Sequence, residues 1–247
     1  MKETSHASPI VDIAIPCYDA NGRGAGALDY ALKSIKSQTY KNYNVVISDH
    51  SLEGEDNIWK ICNDMRNILP ITYIRNSKNY GNASANFNNV LKYCKGDYIK
   101  LLCQDDFFFF EDSLKMMVEK FSKIQETAEA KWMSVAYYHA QNDREHLVSV
   151  HVPFLNDLMC IHNTIGTPSG IMLDGRNGVI LPEFDLNLSY CYDCDFYFRM
   201  IKAHGNPHII KTPLMVNYLW DGSTTSKITP SLIVKEENYI REKYGIQ

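Results

Sequence analysis

Val11-Asp12-Ile13-Ala14-Ile15-Pro16 sets its larger apolar residues at alternate positions and closes on a proline, the pattern of a strand that runs into a loop. After the loop from Cys17 to Gly26, Leu28, Ala31, Leu32 and Ile35 recur at helical spacing, and Asn44-Val45-Val46-Ile47-Ser48-Asp49 is a buried strand with a polar end. The unit is β-loop-α-β. It continues with a helix over 58–69, a strand at Ile71-Thr72-Tyr73-Ile74, a helix over 83–93 and a strand over 97–102. Strands alternating with helices predict an α/β fold, a mostly parallel Rossmann-like sheet flanked by helices on both faces.

In such a sheet ligands bind beyond the carboxyl ends of the strands, so the residues that follow each strand carry the function. Here they are Pro16-Cys17-Tyr18, Asp49-His50-Ser51, the stretch 76–81 and Gln104-Asp105-Asp106. Gly22-Arg23-Gly24-Ala25-Gly26 lacks both the dinucleotide fingerprint and the Lys-Ser/Thr of a P-loop. The adjacent carboxylates Asp105 and Asp106 repel each other unless a cation or hydrogen bonds offset them. They suit a hard divalent ion that also grips phosphate oxygens, or else an acidic turn capping the next helix.

Composition bounds the rest. The chain has 247 residues, 45% hydrophobic and 22% charged, which is enough to bury one substantial core, and no linker-like stretch divides it. One domain over 10–247 is expected, after a flexible tail over 1–9. With 25 basic and 29 acidic residues, a formal net charge of -4 and no basic run, nucleic acid is not an expected partner. No signal-peptide pattern and no 18-residue apolar window is present, and the seven cysteines are odd in number and scattered, so reduced thiols in a cytoplasmic protein are expected. Cys191-x-x-Cys194 alone makes neither a zinc site nor a redox motif.

The ordered set of segments resembles glycosyltransferase family 2, the inverting nucleotide-sugar transferases of the GT-A fold. Val11 to Tyr18 is similar to the family's opening strand, and Ser34-Ile35-Lys36-Ser37-Gln38-Thr39-Tyr40 to its Ser-Ile-x-x-Gln-Thr-Tyr/Phe segment. Asn44 to Ser51 is similar to the strand ending in Asp-x-Ser, Asn79-Tyr80-Gly81 to an Asn-x-Gly turn, and Gly96-Asp97-Tyr98-Ile99 with Gln104-Asp105-Asp106 to the strand delivering a DXD-type metal motif. Ser48 and Gln104 stand where relatives often carry Asp.

The resemblance implies a nucleotide-binding half over 10–106 and an acceptor-binding half over 107–247. Tyr18 would lie against the base, Asp49 would accept from the base edge, Pro16 and Cys17 would line the pocket, and Asn79 and Gly81 would belong to the nucleotide site. Asp105 would reach the ribose or metal-bound water, and Asp106 would be the chief ligand of Mn or Mg. The implied partners are a nucleotide-sugar donor, with a UDP-sugar expected, and a glycan or glycoconjugate acceptor. A lipid-linked acceptor would bring peripheral membrane contact.

Tyr192-Asp193-Cys194-Asp195-Phe196-Tyr197-Phe198-Arg199-Met200 resembles the family helix whose first Asp is the general base, which implies that role for Asp193. Independently, at about 100° per residue, Asp193 shares a face with Phe196, Tyr197, Met200 and His204, while Asp195 shares the opposite face with Arg199 and Lys202. Asp195 is therefore expected in an exposed i,i+4 ion pair, and Asp193 either caps the helix or faces a cleft. Thr167 to Met172 resembles a strand near the acceptor, and Asp221 lies in a closing-loop segment. The run Phe107 to Phe110 is expected in the core, with an acceptor platform or membrane-touching edge as alternatives. The helical pattern over 234–244 is expected to pack on the domain. A sugar-nucleotide nucleotidyltransferase, or an inactive glycan- or nucleotide-binding protein of the same fold, are the competing readings.

Overall fold

The computed structural model describes residues 8–127, 130–176, 179–221, 223 and 228–246. The first seven residues of the expected tail lie outside them. Of the other two, the Ser8 carbonyl accepts from the Asn42 side-chain amide and the Pro9 carbonyl from the Tyr40 hydroxyl.

The elements run in chain order β1 (Val11–Cys17), α1 (Gly24–Ser37), β2 (Tyr43–Asp49), α2 (Asn57–Met65), β3 (Ile71–Arg75), α3 (Ala83–Leu91), β4 (Tyr98–Leu101), β5 (Phe107–Phe108), α4 (Ser113–Thr127), β6 (Trp132–Gln141), β7 (Leu147–His151), a 3-10 turn (Pro168–Gly170), β8 (Ile171–Asp174), α5 (Tyr192–His204), β9 (His208–Leu219) and α6 (Pro230–Tyr244). One sheet holds the nine strands of the described residues in the order β3-β2-β1-β4-β8-β6-β9-β5, with β7 on β6. β3, β2, β1 and β4 are parallel, as the alternation predicts, and β8 then reverses direction. From β1 the chain winds outward to β3 and then crosses back to β4, so the strand order switches at β1. The crevice beyond the ends of β1 and β4 is therefore the natural binding place.

Period-two alternation sorts the sheet's side chains between two cores. Ile13 and Ile15 with Val45 and Ile47 face the core shared with Leu28, Leu32 and Ile35 of α1, whereas Ala14 and Val46 face the core shared with Phe87 of α3 and Phe196 of α5. Burying each large aliphatic side chain contributes about 1.5–3 kcal/mol. Pro16 does not end β1, as its sequence position suggests, but sits within it, opposite Ser48 of β2. Even-numbered β1 residues bond toward β4, and that pairing stops at Ala14, so the missing proline N–H leaves no ladder bond unmade.

Other boundaries differ from expectation: α2 closes at Met65, α3 at Leu91, β4 spans Tyr98–Leu101 and α6 opens at Pro230. The aromatic run divides: Phe107 and Phe108 are buried in β5, while Phe109 and Phe110 are exposed at 40% and 37% because α4 starts only at Ser113 and leaves them uncovered. α5 lies on the second core through Phe196, Tyr197 and Met200, with Phe196 stacked on Phe184 at 4.1 Å. No described helix is long and apolar enough to cross a membrane.

Candidate functional site

A cavity of about 520 Å³ opens at the switch point. Pro16, Cys17 and Tyr18 at the end of β1 form one wall and Gln104, Asp105 and Asp106 after β4 another; the Tyr18 amide donates to the Gln104 side chain at 2.7 Å and ties the two strand ends together. Gly81, His50 and Tyr80 line the side beyond β2 and β3. Tyr137, His139, Asn163, Thr167 and Asp193 line the side supplied by the second half of the chain.

Asn79 and Asp49 are outside this lining. Asn79, at φ +55°, makes the turn that presents Tyr80 and Gly81. Asp49 follows Val45 and Ile47 in the strand period, so its side chain goes to the α1/α2 side, where it is fully buried. There it accepts from the Ser51 amide at 2.9 Å, the Tyr73 hydroxyl at 2.7 Å and Arg75 at 2.7 Å. The next residue, His50, lines the cavity, and its Nε2 bonds the Lys78 carbonyl at 2.9 Å. Burial lowers the pKa of its ring.

Asp105 and Asp106 lie in the turn between β4 and β5. The helix-cap alternative does not hold, since α4 begins at Ser113. Asp106 is fully buried and accepts from Asn217 at 2.9 Å, from the Tyr218 amide at 3.0 Å and from the Thr167 hydroxyl at 3.2 Å. The Trp220 indole donates to Asp105 at 2.7 Å. Burial, with the Asp105 charge second, pushes the Asp106 pKa up to about 7, and burial raises that of Asp105 as well. The local electrostatics thus disfavour the doubly ionised pair. Two hard oxygen donors under that strain fit a divalent cation that keeps several waters and phosphate oxygens in its shell. Among the described residues no group of three or more His, Cys, Asp and Glu is placed to hold a metal ion.

Asn217 also accepts from His139 Nδ1 at 3.0 Å, so the amide connects that imidazole to Asp106. The strand periodicity of Val135, Tyr137 and His139 puts the histidine on the cavity side, and a polar residue in that apolar alternation was the available signal for it. Asn86 of α3, buried, donates to the Cys17 and Ser48 carbonyls at 3.1 and 3.0 Å and holds the ends of β1 and β2. No local pattern marks Asn86, Asn163 or Asn217 as site residues, since the partners that tie them to the site are remote in sequence.

Asp193 is the second residue of α5, at the head of the face that carries Phe196, Tyr197 and Met200, and so it emerges from the core at the cavity. Asn163 donates to its Oδ2 at 2.6 Å and the Cys194 amide to its Oδ1 at 2.8 Å. Burial pushes its pKa up to about 7. That is a carboxylate able to accept a proton near neutrality.

Asp195 departs from the expected exposed pair. The bond to Arg199 forms, but Asp195 is fully buried because α6 covers it, adding Lys243 at 2.7 Å and Tyr244 at 2.6 Å. Asp195→Ala is expected to cost about 2–3 kcal/mol in urea unfolding, less than a fully buried pair because Arg199 and Lys243 keep part of their surface in water. An effect below about 0.5 kcal/mol, the value for an exposed helix pair, would contradict the buried network. Asp221 pairs with Arg23 at 2.8 Å, on the surface. Thr167 meets Asp106 just before the 3-10 turn that leads into β8.

The family model for glycosyl transferase family 2 matches residues 12–167. An uncharacterized glycosyltransferase of Rickettsia typhi is 27% identical over 217 residues, covering 82% of this chain and 62% of the relative. A UDP-Glc:alpha-D-GlcNAc-diphosphoundecaprenol beta-1,3-glucosyltransferase of Escherichia coli is 35% identical over 99 residues, 40% of this chain and 36% of that protein. The chain thus spans less than two thirds of the length of these relatives. Among solved structures, Staphylococcus aureus TarS 1-349 in complex with UDP-GlcNAc superposes with a TM-score of 0.64 at 17% identity, over 94% of this chain and 66% of that one, which supports the GT-A arrangement of the fold.

Proposed function

The chain belongs to glycosyl transferase family 2, and from that premise we propose that it moves a sugar from a nucleoside diphosphate donor, a UDP-sugar, to a hydroxyl of a glycan or glycoconjugate, with inversion at the anomeric carbon. The observation that carries the reading is one cavity lined both by the Asp105–Asp106 pair and by Asp193, a carboxylate that forms no ion pair among the described residues. Asp193 takes the proton from the acceptor hydroxyl as that oxygen attacks the sugar, and the nucleoside diphosphate leaves from the opposite face. A single displacement inverts the centre.

Tyr18, His50 and Tyr80 form the aromatic end suited to the base, and Asn79 shapes the turn beside it. Asp49, in this reading, fixes the Asp49–Ser51 corner that presents His50. Asp105 and Asp106 would hold Mn or Mg, which when bound supplies positive charge to the leaving diphosphate. The donor assignment is supported by the UDP-GlcNAc complex of TarS, and a lipid-diphosphate acceptor, with peripheral membrane contact, by the GlcNAc-diphosphoundecaprenol acceptor of the E. coli relative. All seven cysteines are free thiols, which supports a reducing, cytoplasmic setting.

The test is a thermal-shift series with UDP, GDP and CDP, each in Mn and in chelator, followed by product analysis with a panel of UDP-sugars. UDP with Mn is expected to raise the melting temperature in a concentration-dependent way, since a ligand of the folded state adds to its stability. Proton NMR of the fresh glycoside is expected to show inverted configuration. A retained configuration would refute the single displacement, and equal UDP affinity in Mn and in chelator would remove the metal. A free sugar nucleotide as product would favour the nucleotidyltransferase alternative, and binding without product the inactive one.

A further inference from the structure

Two groups outside α5 bear on Asp193, one by direct contact and one through the turn before it. The first is Asn163, whose amide is fixed from both ends by one residue: its Oδ1 accepts from the Gly166 amide at 2.6 Å and its Nδ2 donates to the Gly166 carbonyl at 3.1 Å. The same Nδ2 donates to Asp193 at 2.6 Å. Gly166 is itself immobilised, because its carbonyl also accepts from the Tyr197 hydroxyl at 3.0 Å, its φ is +103°, and a Cβ there would lie 2.5 Å from the Tyr137 ring. Asn163 therefore has one orientation available.

The second is Glu236 of α6, 3% exposed. Its carboxylate accepts from the backbone amides of Ser189 at 2.8 Å, Tyr190 at 2.9 Å and Cys191 at 2.9 Å. These are the last amides before α5, and Cys191 at the helix start makes no side-chain cap bond, so a residue more than forty positions downstream serves the end of the helix that carries Asp193.

We propose that Asn163 and Glu236 are an opposed pair of positioning residues for Asp193, Asn163 orienting the carboxylate and Glu236 seating the turn that carries it while adding a like charge. The proposal rests on the reading of Asp193 as general base. A donated N–H favours the ionised carboxylate, and a neighbouring negative charge disfavours it. The other titratable groups about Asp193 are Tyr192, Cys194 and Tyr197 on α5, Tyr190 and Cys191 just before it, and Tyr137 on β6, with Glu237 of α6 acting on Tyr190 and Cys191. Burial drives those phenols and thiols upward, so they are neutral at pH 7; Glu236 raises the Asp193 carboxyl too, a smaller effect than its burial.

The experiment titrates Asp193 by carboxyl 13C NMR in the whole chain, its signal assigned from Asp193→Asn. Asn163→Ala is expected to raise the midpoint by roughly 0.5–1 pH unit and Glu236→Gln to lower it by a similar amount, with the double variant close to the starting value. Midpoints that stay put, or that move in the same direction in both variants, overturn the pair, since a merely structural role carries no opposite signs. If Glu236→Gln does not fold, Asn163→Ala tests the orienting half: an unmoved midpoint overturns the proposal and a raised one upholds the role of Asn163. Full turnover in Asp193→Asn would overturn the base reading beneath it, a result separable from the titration.

Discussion

Asp193→Asn is expected to lower turnover by about 10²–10⁴-fold, the usual share of a positioned general base, and to leave UDP affinity unchanged. The amide keeps the size of the carboxyl and its place beside Asn163, but it cannot take the acceptor's proton. The wild-type rate should rise with pH and level off above about 7, because burial holds the Asp193 carboxyl protonated below that range and only the ionised form is a base. The variant should lose that rise. Transfer rate, UDP affinity and melting temperature, measured together under saturating Mn, separate loss of chemistry from loss of fold. Unchanged turnover would assign the base elsewhere. The comparison with Asp195→Ala sharpens the result, because that variant should lose stability while its folded fraction keeps its turnover.

Asp106→Ala is expected to weaken metal-dependent UDP binding by more than about 100-fold, since changes to groups that only support a ligand already cost 10–100-fold in metal affinity. The residual UDP affinity should be the same in Mn and in chelator. Asp105→Ala should weaken binding less, because Asp105 stands at the half-buried edge of the pair and gives one oxygen to Trp220. Isothermal titration of UDP into each variant, with Mn and with chelator, tests both. An Asp106→Ala protein that still gains affinity from Mn would remove Asp106 as the chief ligand.

Part of this site was legible in the chain before any fold was known. The alternation in Val11 to Ile15, and the apolar runs of the later strands that end in polar residues, are short-range properties. They marked the places where Pro16, Cys17, Tyr18, Asp105 and Asp106 now line the cavity. The phase of α5 is equally local: Phe196, Tyr197 and Met200 had to face the sheet, and Asp193, one turn earlier on that face, had to come out at its edge. Asn163, Asn217 and Glu236 were not legible. Each does its work through a partner that lies between 30 and 111 positions away, and no periodicity records that distance.

What the sequence by itself determined is therefore the set of elements, the apolar face of each, and the carboxylates placed at the strand ends and at the head of α5. What tertiary structure alone decided is which remote group meets each polar side chain. The local pattern of α5 rightly separated Asp195 from Asp193, yet the arrival of Lys243 and Tyr244 on α6 made Asp195 a buried anchor and not an exposed pair. Asp49 likewise closes its strand as expected, and its strand phase aims it at the α2 side, but that Tyr73 and Arg75 meet its carboxylate there was decided by the tertiary structure. The physical reason is one of range. Backbone geometry fixes the direction of a side chain from its immediate neighbours, whereas its burial, its charge state and its partner depend on the element that packs over it, which is set by the closing of the whole sheet.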